Sequence, residues 1–267
     1  MIGFDQVNIY ENPFSEFMYN DVPLSFSSVG EAKKFYEYGH CLFSSSEATH
    51  SEHSLTEVAA HKGHFANLAS KMSLAIQAFV QSKSSSFTPK EDIAMAVLQL
   101  HVVSNSLQFE QVPPNQRPDS DKFLPQFEQL IALGEKVISS AFSSNDHGGQ
   151  TTSFCLDMGI IIPLYYVAWQ CPDPTIRRKA ITLLRSTSRQ EGLLNSLLLA
   201  KAAERIMEIE ESILGEMKTC ADGPNWARST AVQPVLELDD RGGRLQYTRP
   251  AQGATAQVKV VEEVFSY

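Results

Sequence analysis

Between Met158 and Trp169 the sequence is apolar at nearly every position, and this run limits the fold more than any other feature. It is too short to cross a bilayer, and Pro163 interrupts it. Such a segment is stable only when the rest of a globular body encloses it. The sequence predicts a helix over Phe154–Gln170, apolar almost all round and therefore the most buried element.

The surrounding chain carries helical periodicity that can supply the enclosure. After an irregular segment over residues 1–28, Val29–Phe43 forms a first helix with Ala32, Phe35 and Tyr36 on one side, and Ser44–Ser54 is expected to be a loop. From Leu55 to Val80, the positions Val58, Phe65, Leu68, Met72, Ile76 and Phe79 recur at helical spacing. Thr88-Pro89-Lys90-Glu91 reads as a helix start, with Thr88 as N-cap and Glu91 completing a capping box. The stripe it opens is Ile93, Val97, Leu100, Ser104 and Leu107. Pro113, Pro114 and Pro118 separate it from a helix over Asp121–Phe142, which presents Phe123, Phe127, Leu130, Ile131, Val137 and Ile138.

Asp173-Pro174 starts a short helix with Ile176, Ala180 and Leu184 inward and Arg177, Arg178 and Lys179 on the solvated face. Glu191–Met217 is expected to be helical, with Leu194, Leu197, Leu198, Ile206, Ile209 and Ile213 inside. After Cys220 the pattern turns to β-formers at Val235–Leu238, Arg244–Thr248 and Gln257–Phe265, with Asp240–Gly243 as a tight turn. The expected class is all-α: antiparallel helix pairs in a layered array over residues 29–220, with a small antiparallel β-ribbon over 221–267 packed on it.

Charge narrows the partners. Twenty-two basic against thirty-one acidic residues give a formal charge of −9, which repels nucleic acid and anionic membranes. Cys41, Cys155, Cys171 and Cys220 are too dispersed for a zinc cluster and suit a reducing compartment. Met1–Phe14 lacks the pattern of a signal peptide, so an intracellular protein, nuclear or cytoplasmic, is expected. There is no Gly-rich phosphate loop, nucleophile elbow or HExxH motif, and no cofactor or metal is expected.

A few residues could carry chemistry. His53, Glu57, His61 and His64 would form one polar strip on a helix, read here as a solvated face rather than a metal site. His101 lies among Val97, Leu98, Val102 and Leu107; beside a cavity it would be the best general acid/base. Asp157, in the most apolar helix, must be paired or protonated, and is expected to cap a neighbouring helix or bond Arg177 or Arg185 rather than act in catalysis. Tyr165, Tyr166 and Trp169 would give a pocket an aromatic wall, or simply fill the core.

Three stretches carry a resemblance: Phe154–Ala168, Cys171–Ser186, and Arg189-Gln-Glu-Gly-Leu193 continuing to Ala202–Ile206. Together they resemble the C-terminal regulatory region of fungal six-cysteine zinc-cluster transcription factors, many of which govern secondary-metabolite gene clusters. Weaker similarity lies at Leu98–His101 and Phe123–Glu128, and the whole covers the chain from about Val22 onward. The zinc cluster and its basic linker are absent, and Leu194-Asn195 stands where the family commonly has Trp-Asp.

The resemblance implies a regulatory module without its own DNA-binding element, binding a hydrophobic small molecule or a protein partner; a homodimer is compatible with it. The alternative is a helical body recruited as a cyclase, isomerase or pericyclase acting on a hydrophobic metabolite. His101, Asp157 and Tyr166 would then be catalytic, and His101, Tyr165, Tyr166 and Trp169 would line the ligand site.

Overall fold

The computed structural model describes residues 22–49, 55–109, 120–144, 153–155, 159–192, 194–214, 231–236, 242–250 and 258–266. The chain is mostly helical, with a small antiparallel β-ribbon at its C-terminal end. It divides into two compact units, Met1–Gln111 and Val112–Tyr267. No helix among the described residues is long and apolar enough to cross a membrane.

In the first unit, α1 (Val29–Thr49), α2 (Leu55–Lys83) and α3 (Pro89–Phe109) pack on one another. Ser28 caps α1: its Oγ accepts from the Glu31 N–H at 3.1 Å, and the Glu31 carboxylate accepts from the Ser27 N–H at 2.7 Å. The helix continues through Ser44–Thr49, expected to be a loop, because no glycine or proline stops it there. Residues 50–54 lie outside the described residues. On α2, Met72, Ala75, Ile76 and Phe79 are buried at the expected helical spacing. Phe87 then folds back on Phe79, ring centroids 5.4 Å apart, and closes the turn into α3.

The expected capping box opens α3. Thr88 Oγ1 accepts from the Glu91 N–H at 3.3 Å, and the Glu91 carboxylate accepts from the Thr88 N–H and hydroxyl at 2.9 and 2.8 Å. Both α1 and α2 contact α3, and Met95, Ala96, Leu98, Leu100, Val102 and Ser104 are buried; of the expected stripe only Leu100 and Ser104 are among them, while Ile93, Val97 and Leu107 are half-buried.

The cap predicts a pH effect. Hydrogen bonds from the Thr88 backbone and then its hydroxyl hold the Glu91 carboxyl below its ordinary value of 4.5. A folded value lowered in this way stabilises the fold above pH 4.5, and the contribution disappears as pH falls through the lowered value. Carboxyl NMR titration should find Glu91 below the ordinary range, and Thr88→Ala should return it towards that range.

In the second unit, α4 (Ser120–Ser144), α5 (Ile161–Gln170), α6 (Pro174–Ser186) and α7 (Ser196–Leu214) form the helical body. α5 contacts α4, α6 and α7, and Ile161, Leu164, Val167 and Ala168 are wholly buried. It is the central element the apolar run demanded. All six apolar residues expected on α4 are buried. A Cβ on Gly134 would come 2.9 Å from Leu164 Cδ2, so the glycine lets α4 approach α5 closely.

The helix expected over Phe154–Gln170 is shorter than the sequence suggested. Ser153–Cys155 is strand β1, pairing in parallel with β2 (Arg189–Glu191), and 156–158 lie outside the described residues. The helix expected from Glu191 also begins later. Gly192, at φ 57°, turns β2 into β3 (Leu194–Asn195) before α7 starts at Ser196. The inner face of α7 accordingly uses Leu198, Leu199, Ala202, Ala203, Ile206, Met207 and Ile209, while Leu194 and Leu197 are half-buried.

The C-terminal ribbon has three antiparallel strands, β4 (Ala231–Leu236), β5 (Gly242–Pro250) and β6 (Val258–Ser266), with β5 in the middle and touching α7. Gly242 and Gly243, expected in the turn, belong to β5; Asp240 and Arg241 lie outside the described residues.

Candidate functional site

The strongest concentration of buried polar chemistry lies at the two ends of α5. The first turn of a helix has backbone N–H groups without intrahelical partners, and the last turn has carbonyls in the same state. At the N-terminus, the Glu191 carboxylate accepts from the Ile160 N–H at 2.8 Å and the Ile161 N–H at 2.9 Å. Arg189 stands beside it, Nε to Oε1 2.6 Å, as an ion-pair contact without hydrogen-bond alignment. A Cβ on Gly159 would fall 1.9 Å from the Glu191 carboxyl group, so only glycine leaves room for this cap.

At the other end, Arg177 Nε donates to the Ala168 carbonyl at 2.8 Å, and Nη1 meets Glu210 Oε2 at 2.5 Å. Both side chains of that pair are 1% exposed. An anion at the N-terminus and a cation at the C-terminus are the arrangement that the dipole of α5 favours. Through these contacts α5 is tied to β2, α6 and α7. Arg177 was expected on a solvated face; instead it continues the buried stripe of Ala180, Ile181 and Leu184, while Arg178 and Lys179 are exposed.

The neighbouring caps follow the same logic. Asp173 Oδ1 accepts from the Thr175 and Ile176 N–H groups at 2.7 and 3.0 Å, as expected for the start of α6. Asn195 Oδ1 accepts from the Leu197 and Leu198 N–H groups at 2.9 and 3.1 Å and starts α7. Buried Ser196 joins the β2 and α7 starts, accepting from the Arg189 N–H at 3.1 Å and donating to the Thr187 carbonyl. On the exposed side of α6 and α7, Arg178 pairs with Glu211 and Arg185 with Glu204. Such exposed pairs contribute little, about 0–1 kcal/mol each.

The residues singled out from the sequence fall in several places. His101 is half-buried on α3, its ring centroid 5.8 Å from that of Tyr36, whose hydroxyl accepts from Asn105 Nδ2 at 2.8 Å. Burial pushes the Tyr36 phenol above its ordinary value. Tyr165, Tyr166 and Trp169 belong to the second unit and are half-buried on α5. Tyr166 stacks on Phe127 of α4, ring centroids 6.2 Å apart, and burial raises its pKa. The Tyr165 hydroxyl is buried without a hydrogen-bond partner among the described residues, and burial pushes it up to about 12.

Asp157 and His53 lie outside the described residues, and Glu57, His61 and His64 lie on α2. Of the partners expected for Asp157, Arg177 pairs with Glu210 and Arg185 with Glu204, and any contact of Asp157 itself lies outside the described residues. Among the described residues no three His, Cys, Asp or Glu side chains converge to hold a metal ion.

Arg177, Glu191 and Glu210 had not been picked out as buried, yet a signal existed for two of them. Arg177 precedes Ile181 and Leu184 by four and seven positions, and Glu210 follows Ala203, Ile206 and Met207 by seven, four and three. A charge on the apolar stripe of each of two packed helices marks a buried pair. Comparison of the chain with protein-family models, with curated proteins and with solved structures returned no match.

Proposed function

We propose that the chain is an intracellular regulatory module of the kind that follows the zinc cluster in fungal transcription factors. In this reading it binds a hydrophobic effector or a protein partner, does not itself contact DNA, and serves secondary metabolism. The observation that carries the reading is the use made of charge in the stretch most similar to that family. Glu191 and Arg177 hold the two ends of α5, Glu210 neutralises Arg177, and Asp173 and Asn195 cap α6 and α7. These are scaffold duties, and they leave the chain's remaining surface for recognition. Asn195 also softens the departure from the family's Trp-Asp pattern, since its Oδ1 caps a helix as an aspartate oxygen would. The net charge of −9 suits a module that leaves DNA contact to something else.

The test is native mass spectrometry of the purified chain with a panel of hydrophobic fungal metabolites, coupled to chromatography of each metabolite afterwards. The regulatory reading predicts stoichiometric retention of a metabolite that is recovered chemically unchanged. Conversion of a metabolite by substoichiometric chain, abolished in His101→Ala, would sink it and establish the enzyme instead.

A further inference from the structure

We infer that β6 pairs with β6 of a second copy of this chain, antiparallel across a two-fold axis, joining two three-stranded sheets into one. The inference stands on the ribbon alone and holds for either reading of function.

β6 is an edge strand, and among the described residues no strand pairs with its outer side. An edge of this length offers a row of backbone donors and acceptors to another chain. Val258–Ser266 contains no proline or glycine to discourage that pairing. The opposite edge differs: β4 contains Pro234, which removes a backbone donor from that strand. One edge is therefore blunted and the other is left competent.

The charges of β6 say which partner fits. Residues directly opposite on adjacent strands interact, and like charges there are unfavourable. In the β5–β6 register Lys259 faces Arg249, and Glu263 faces Leu245. The position directly opposite Lys259 therefore holds no acid, and the position directly opposite Glu263 holds no base. Glu262 is provided for, since Arg244 Nη1 lies 2.9 Å from its Oε1.

A two-fold axis perpendicular to the sheet keeps each residue on its own face, so residues opposite one another must share a face. Centring the pair on Val261 then sets Lys259 of each copy opposite Glu263 of the other, with Val258 opposite Val264. Val264 is 71% exposed in the single chain, which such a pairing would relieve. Centring on Glu262 would oppose that carboxylate to itself, and centring on Val260 would set Lys259 opposite Val261. Of these three, the Val261 register alone sets both Lys259 and Glu263 opposite a charge of the other sign.

Sedimentation velocity of the full chain tests this. The chain should sediment as a dimer, with Lys259→Glu and Glu263→Lys each weakening association on the order of tenfold or more. The double swap Lys259→Glu/Glu263→Lys should restore it. Lys259→Glu places an acid opposite Arg249, so loss of the dimer in that variant cannot be assigned to a weakened ribbon. A wild-type monomer at every concentration, a dimer indifferent to both single reversals, or a double swap that fails to restore association would overturn the inference.

Discussion

Glu210→Ala is expected to lower the stability of the second unit by about 3–5 kcal/mol, because it leaves the Arg177 guanidinium buried without its carboxylate. The pair is 1% exposed on both sides, so water cannot replace the missing partner. Arg177→Ala should cost a similar amount, since it takes the buried cation away from Glu210 and also frees the Ala168 carbonyl at the end of α5. Arg185→Ala is the matched control. Its pair with Glu204 is largely exposed, with side chains 46% and 29% accessible, and its loss should cost no more than about 1 kcal/mol. Urea unfolding followed by the fluorescence of Trp169, which lies on α5, reads the right part of the molecule. Equal losses for Arg177→Ala and Arg185→Ala would refute the buried-pair assignment.

Gly159→Ala should be nearly as damaging for a different reason. Its Cβ would fall 1.9 Å from the Glu191 carboxyl group, and the obstacle is a capping group held by two backbone donors. Expelling the carboxylate leaves the Ile160 and Ile161 N–H groups buried and unsatisfied, at about 1–3 kcal/mol for each. Glu191→Ala removes the same cap and should cost a comparable amount. The two losses should not add, because the three atoms nearest a Cβ at position 159 all belong to the Glu191 carboxyl group and leave with it. In Glu191→Ala, adding Gly159→Ala should cost less than about 1 kcal/mol. Full additivity in a double-mutant cycle would mean that glycine is needed there for some other reason.

Much of the fold was legible because helical spacing and caps are local. The stripe of α4, the capping box at Thr88 and the Asp173 cap each occupy one short window, and each appears as expected. The errors came where a distant residue decides a local outcome. A three-residue strand such as β1 is too short to show a period, and its partner β2 lies more than thirty residues away in sequence. The start of α5 depends on Glu191, thirty residues further on. Arg177 was misassigned to a solvated face because charge outweighed position. Its placement on the stripe of Ala180, Ile181 and Leu184 held the correct answer. The candidate site was less legible still, since aromatics at helical spacing look the same in a packed core and in a pocket wall. Tyr165, Tyr166 and Trp169 share α5 and are all half-buried, which the pattern alone did not decide.

The central claim is that the charges around α5 act as scaffold, and the double replacement Arg177→Met/Glu210→Leu tests it most directly. Well-packed apolar residues in place of a buried ion pair are often neutral or stabilising. In urea unfolding the double variant should recover most of the loss seen with either single alanine, ending within about 1–2 kcal/mol of the wild-type chain. A double variant that loses as much as the two single variants together would contradict the claim, because the chain would then need those charges for more than neutralising each other.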